Sequence, residues 1–181
     1  YSHVNEVKTL DDEIDSSRPI QSQKLLKQAG YETAIVGKWH LGNNEASNPQ
    51  GFDYWKALEC THDYNHSAYY SDKSDRKLWW EGYDAFAQTR EAEDYVRHRE
   101  RGSPFLLFLS WGPPHDPYET APEQYRRLYD PDRIRLRPNV PESDAAKARM
   151  DLAGYYAHCT ALDACLGSLL QTLVDEGIAD D

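Results

Sequence analysis

Two short polar clusters hold the residues best suited to chemistry: Gly37-Lys38-Trp39-His40-Leu41-Gly42 and Trp111-Gly112-Pro113-Pro114-His115-Asp116-Pro117. Each follows directly on a run with strand character, Thr33–Val36 and Phe105–Leu109. In open α/β sheets the ligand crevice lies beyond the carboxyl ends of the strands, where such loops emerge. If the two strands are parallel neighbours, Lys38, His40 and His115 converge on one sheet edge. Residues two apart in an extended segment face the same side, which puts Lys38 and His40 together. Three groups able to carry positive charge suit a compact anion, and sulfate, phosphate and carboxylate all fit. Taken singly, each has a blander reading. A Lys after a strand is ordinarily solvated, a His beside Trp is often a packed structural residue, and a His after two prolines can brace a loop. Their occurrence at corresponding strand ends is what favours an anion site. A third cluster, His62-Asp63-Tyr64-Asn65-His66, spaces two histidines as a zinc-binding helix would. The stretch lacks helical character and the intervening Glu of a metalloprotease.

The elements that must position these residues alternate along the chain. A helix is expected from Ser17 to Ala29, with Ser16 or Ser17 as its cap, Pro19 in its first turn and Gly30 as its stop. The strand Thr33–Val36 follows. Residues 38–84 show no sustained periodicity and read as a long irregular segment whose aromatic content argues against disorder. A polar helix over Asp84–Arg99 has Phe86, Tyr95 and Val96 as its anchors. Phe105–Leu109 reads as a strand buried on both faces, stopped by Gly112-Pro113-Pro114. A short helix at Pro122–Tyr129 and a Pro/Arg-rich connection at Asp130–Pro141 lead to the last helix, Ser143–Glu176, with Gly177 as its stop. Its apolar stripe is read as Met150, Ala153, Ala157, Ala161, Leu166 or Cys165, Leu169 and Leu173. Alternation of this kind implies an α/β sheet with parallel strands.

The chain has 181 residues, with 20 Lys+Arg against 31 Asp+Glu and a formal net charge of −11. Such a chain repels phosphate backbones and anionic bilayers, so no nucleic-acid or membrane partner is expected. Phe105–Leu109 is its longest strongly apolar run, far short of the ~20 residues of a membrane span. The 3 cysteines, Cys60, Cys159 and Cys165, make no disulfide framework. Arg126, Arg127, Arg133, Arg135 and Arg137 could form a polyanion patch, but their acidic neighbours favour packing and solvent roles. The mean hydropathy of −0.85 is low for a self-contained globule.

The segment Gly30-Tyr31-Glu32-Thr33-Ala34-Ile35-Val36-Gly37-Lys38-Trp39-His40-Leu41-Gly42 resembles the second signature of the type I sulfatases, members of the alkaline phosphatase superfamily. Gly51-Phe52-Asp53-Tyr54-Trp55 resembles the loop that follows it, Pro104–Pro117 the family's central strand and histidine turn, and Tyr155–Asp180 the helix before its metal-binding strand. The resemblance implies an α/β fold, a partial alkaline-phosphatase-like sandwich with a mostly parallel central sheet flanked by helices and incomplete at both ends. It implies hydrolysis of a sulfate monoester, on an aryl, sugar or other sulfated compound, through a formylglycine nucleophile assisted by Ca2+. On that likeness Lys38 contacts the sulfate, His40 holds or deprotonates the formylglycine diol, and His115 assists the leaving oxygen. Thr61, His62 and Asp63 would meet the organic part of the ester.

The departures from the pattern matter as much. No Cys/Ser-x-Pro-x-Arg occurs, so none of the cysteines is the formylglycine precursor. Asp11-Asp12 precedes a helix rather than ending a strand and reads as solvated charge, so no metal ligand of the family is expected within this chain. Residues 1–181 are therefore expected to be one partial catalytic domain, an internal fragment inactive alone. The parent would need its nucleophile, its metal carboxylates and a formylglycine-generating enzyme as partner. The compartment stays open, exported or cytoplasmic. The alternatives are a phosphonate monoester hydrolase or phosphodiesterase of the same superfamily, and a non-catalytic relative that binds sulfated glycans.

Overall fold

The computed structural model describes residues 22–40, 51–58, 60–72 and 74–180. The expected helix start at Ser16–Pro19, the Asp11-Asp12 pair and the Leu41-Gly42 end of the first cluster lie outside the described residues. The elements are helix α1 (Ser22–Gln28), strands β1 (Glu32–Lys38), β2 (Tyr54–Leu58), β3 (Ala68–Ser71) and β4 (Ser74–Trp79), helix α2 (Asp84–His98), strand β5 (Phe105–Ser110), and helices α3 (Glu123–Arg126) and α4 (Ala145–Asp175). The strands form one sheet in the order β4-β3-β2-β1-β5.

Strand β1 is the axis of this sheet. Its Thr-Ala-Ile-Val run is β-branched and apolar, and Thr33, Ala34, Ile35 and Val36 are all buried. Fully burying side chains such as Ile35 and Val36 stabilises by roughly 1.5–3 kcal/mol each. It pairs in parallel with β2 on one side, Val36 opposite Lys56, and with β5 on the other, Val36 opposite Leu109. The carboxyl ends of β2, β1 and β5 therefore lie side by side, as a ligand crevice requires.

The described part of the segment 38–84 is not irregular. It contains β2, β3 and β4, and the last two extend the sheet by antiparallel pairing, so the sheet is mixed. The strand signal is masked because these strands carry aromatic and charged residues instead of aliphatics. In β2 the alternation is real, with Trp55 and Ala57 buried. Between them Lys56 pairs with Glu91 at 2.6 Å and reaches over the Tyr69 ring.

Strand β5 also departs from expectation. It is only half-buried, with Phe108 54% exposed. Among the described strands β5 pairs with β1 alone, so one of its edges carries no partner, and no described helix covers Phe108.

Helix α2 packs between the sheet and α4 through the small residues Ala85 and Ala92 together with Val96. The inward stripe of α4 is Ala153, Gly154, Ala157, His158, Ala161, Cys165 and Thr172. Met150 is 67% exposed and Leu166 points outward, so Cys165 takes the inner position. Gly154 is needed there, because a Cβ would sit 2.5 Å from the Tyr118 carbonyl oxygen. All three cysteines are free thiols. Among the described residues no helix is long and apolar enough to cross a membrane.

Candidate active site

The first cluster begins with a glycine that nothing else can replace. Gly37 has φ of +109°, and a Cβ on it would lie 2.2 Å from the carbonyl oxygen of Ser110 in β5. Its absent side chain lets β1 and β5 close together just where both strands deliver their loops. Lys38 ends the strand opposite Leu58, and the Trp39 N–H continues the ladder by donating to the Leu58 carbonyl at 2.8 Å. His40 then turns the chain with φ of +53°, the one positive φ at a non-glycine among the described residues. That conformation costs roughly 1–2 kcal/mol and is characteristic of functional sites. Burial holds the His40 imidazole below its ordinary value, and Lys38, His62 and His115 push the same way. His40 thus lies within electrostatic reach of Lys38, His62 and His115, and its neutral form is favoured.

The second cluster is anchored from three directions. The Trp111 indole N–H donates to the Thr89 hydroxyl at 3.2 Å, tying the strand end to α2. Gly112 lies against the buried Tyr64 ring, where a Cβ would come within 2.7 Å. The Tyr64 hydroxyl donates to the Asp116 carbonyl at 3.0 Å, and the Pro113-Pro114 and Asp116-Pro117 peptides are cis. His115 sets its Nδ1 against the Asp116 carbonyl at 3.0 Å and the Asp116 carboxylate at 2.7 Å. Both partners are acceptors, so Nδ1 carries a proton and Nε2 is the nitrogen left for a ligand.

His158 secures the same turn from α4. Its Nδ1 is 2.7 Å from the Tyr83 hydroxyl and its Nε2 is 3.4 Å from the Pro117 carbonyl. Burial lowers the His158 pKa and raises that of Tyr83, so both are neutral. The consistent arrangement has the Tyr83 O–H donating to Nδ1 and the Nε2–H donating to Pro117. Sequence reasoning missed His158. Its signal is a lone histidine inside the inward stripe of a helix.

The third loop comes from β2 and supplies Thr61, His62 and Asp63. The Thr61 hydroxyl accepts from the Asp63 N–H at 3.1 Å, and the Asp63 carboxylate accepts from the His66 N–H at 3.1 Å. That carboxylate is therefore engaged in its own turn. His62 stacks on His115, ring centroids 4.7 Å apart and planes 16° apart, and its Nε2 lies 3.8 Å from the Cys60 sulfur. His66 stacks instead on Trp79, so the two histidines spaced for zinc serve separate partners. Thr61 shares a small cavity with Lys38, Ser67, Asp84, Gln88 and Gly112. Asp84 in that cavity is 1% exposed, and desolvation pushes its pKa up to about 7 against the opposing hydrogen bonds from Ser67 and the Ala85 N–H. Asp84 Oδ1 and Gln88 Oε1 are buried without a protein hydrogen-bond partner. Neither residue was marked out by sequence reasoning.

Lys38, His40, His62 and His115 present nitrogen, whereas calcium prefers a cage of oxygen ligands, and the nearby Asp63 and Asp116 carboxylates are tied to the His66 N–H and to His115. Among the described residues no set of three or more His, Cys, Asp or Glu side chains could hold a metal ion. The described residues do not fit the calcium that the resemblance implies. What the edge can do is neutralise a compact anion, accept a proton at His40 and give one at His115.

Known proteins share this architecture. The family model described as Sulfatase matches residues 23–181. An ulvan-active sulfatase of Formosa agariphila is 38% identical over 179 residues, covering 95% of this chain and 35% of that protein. An N-acetylglucosamine-6-O-sulfatase of Bacteroides thetaiotaomicron is 36% identical over 102 residues, covering 55% of this chain and 17% of the relative. A structure from the glycosaminoglycan metabolism of Bacteroides thetaiotaomicron superposes with a TM-score of 0.86 at 19% identity, over 98% of this chain and 44% of that one. Another, in complex with its substrate D-glucosamine-2-N,6-O-disulfate, gives a TM-score of 0.75 at 21% identity, over 99% and 51%. The chain thus spans 35% or less of the two curated relatives' lengths.

Proposed function

The chain belongs to the sulfatase family, and on that premise we propose that it supplies the Lys38, His40 and His115 edge of a site that hydrolyses a sulfate ester on a sugar. The observation that carries this reading is the convergence of the loops after β1, β2 and β5, with His115 Nε2 without a hydrogen-bond partner among the described residues and Lys38 beside a neutral His40. The sugar follows from the relatives, which include an ulvan-active sulfatase and a sulfatase for N-acetylglucosamine 6-O-sulfate.

Each residue then has one task. The Lys38 ammonium offsets the sulfate charge, which grows on the departing oxygen in the transition state. Neutral His40 would hold or deprotonate the nucleophile's diol, assisting release of sulfate. His115 acts toward the leaving group: Asp116 holds its Nδ1–H, which aims Nε2 at the bridging ester oxygen to give it a proton. Thr61 and Asp63, in the loop after β2, meet the organic part of the ester. The formylglycine nucleophile, the enzyme that makes it and Ca2+ belong to this proposal as properties of the whole protein. Residues 1–181 are read as part of one catalytic domain.

Intact protein carrying His115→Ala tests the reading. It should lose about 100-fold or more in kcat on a sugar sulfate, whose alkoxide is a poor leaving group, and far less on nitrophenyl sulfate. Equal losses on both esters reject the acid role. Turnover of phosphodiesters in preference to both rejects the sulfatase reading.

A further inference from the structure

His115 is poorly confined by the contacts that anchor its turn. Its side chain is 50% exposed, and among the described residues only Nδ1 is held, by an Asp116 that is itself 62% exposed. One fixed nitrogen leaves the ring free to swing about that contact, which would carry Nε2 away from the ester oxygen. The face of the ring is held by something else. The His62 imidazole lies nearly parallel to it at a centroid separation of 4.7 Å. His62 is itself set by the interlocked turn of Thr61, Asp63 and His66, and by the Cys60 sulfur at its Nε2. A slab of this kind blocks rotation of the neighbouring plane without competing for its nitrogens.

We propose that His62 is a positioning residue for His115, fixing the imidazole plane so that Nε2 faces the Lys38–His40 edge, rather than a contact to the sugar. The inference rests on the sulfatase reading for its catalytic meaning, while the contact itself can be tested independently. It assigns a job to the ring's shape, not to its ionisation, which separates it from any acid–base role.

The test compares His62→Ala and His62→Phe in the intact protein. His62→Ala should lower kcat on a sugar sulfate by about 10- to 100-fold with little change in KM, and should largely spare nitrophenyl sulfate. His62→Phe keeps a flat ring and should restore most of the loss. A rise in KM with kcat unchanged, or failure of Phe to rescue, overturns the proposal. With 13C-labelled histidine, the His115 ring protons should move downfield in His62→Ala, where the shielding face is gone, and stay shielded in His62→Phe. Unmoved resonances overturn the stacking whatever the activity. If the unmodified protein turns over no sulfate ester while the resonances move as stated, the sulfatase reading fails and the catalytic role fails with it.

Discussion

Asp84→Asn isolates the electrostatics of the buried cavity beside Lys38. The carboxyl is 1% exposed, and desolvation lifts it from 3.8 to about 7. Because the folded value is raised, the native state keeps a proton that the unfolded chain has already released between about pH 4 and 7. Stability from this group is complete below the unfolded value and is lost as pH rises through the folded one. The gap between the two values is worth about 4 kcal/mol once both transitions are passed. Asn is nearly the same shape and cannot ionise, and its amide can donate within the cavity that also holds the unpartnered Gln88 Oε1. The variant should match the unmodified protein near pH 4 and exceed it progressively to pH 8. Urea unfolding of both intact proteins at pH 5 and pH 8, followed by tryptophan fluorescence, reads the effect as a double difference. Other titrating groups cancel in that comparison. The midpoint advantage at pH 8 should be about 1 M or more. An Asn variant that is no more stable at pH 8 than at pH 5, relative to the parent, refutes a cavity that excludes water from Asp84.

Two further predictions concern the frame of the site. Gly37→Ala meets the Ser110 carbonyl at 2.2 Å in a backbone conformation that L side chains resist, so it should cost about 3 kcal/mol or more and abolish turnover; a thermal midpoint within error of the parent contradicts it. His158→Gln should lower the thermal midpoint and flatten its decline on acidification, since a histidine with a depressed folded value stabilises above its unfolded value near 6.5 and loses that contribution as pH falls through it. Equal acid sensitivity of the two proteins would rule out a neutral buried His158.

How much was legible in the sequence depended on whether the relevant interaction was local. Lys38 and His40 follow an apolar β-branched run, and His115 follows Phe105–Leu109, so strand ends and polar loops could be read together. Helices α2 and α4 announced themselves by periodicity and stops. Strands β2 and β3 did not, because their buried positions are filled by Trp, Ala and Ser beside tyrosines and paired charges, and β4 did not because its described side chains are exposed or half-buried. The burial of β5 was overestimated because an apolar run reports what a strand needs, and the described chain covers only part of it. His62 against His115, Tyr83 against His158, and the shared cavity of Asp84 and Lys38 all join residues far apart in sequence. No spacing rule reaches across such distances.

The parallel pairing of β1 with β5 also sets an order of assembly. Glu32 finds its partner in Phe105 only after β2, β3, β4 and α2 have been made, whereas Ala34 meets Tyr54 much sooner along the chain. Local and short-range pairings form before distant parallel ones, whose closure entropy must be met first. On the ribosome, the β1–β2 pair with its antiparallel extension can therefore form while the opposite edge of β1 is still bare. The loops that carry Lys38 and His115 reach the same end of the sheet only when β5 pairs with β1. Until then the Ala-Ile-Val edge of β1 is a template that another nascent chain can occupy. Docking of β5 covers that template and brings the two loops to one side of the sheet in the same event, while handing the bare edge on to β5 itself.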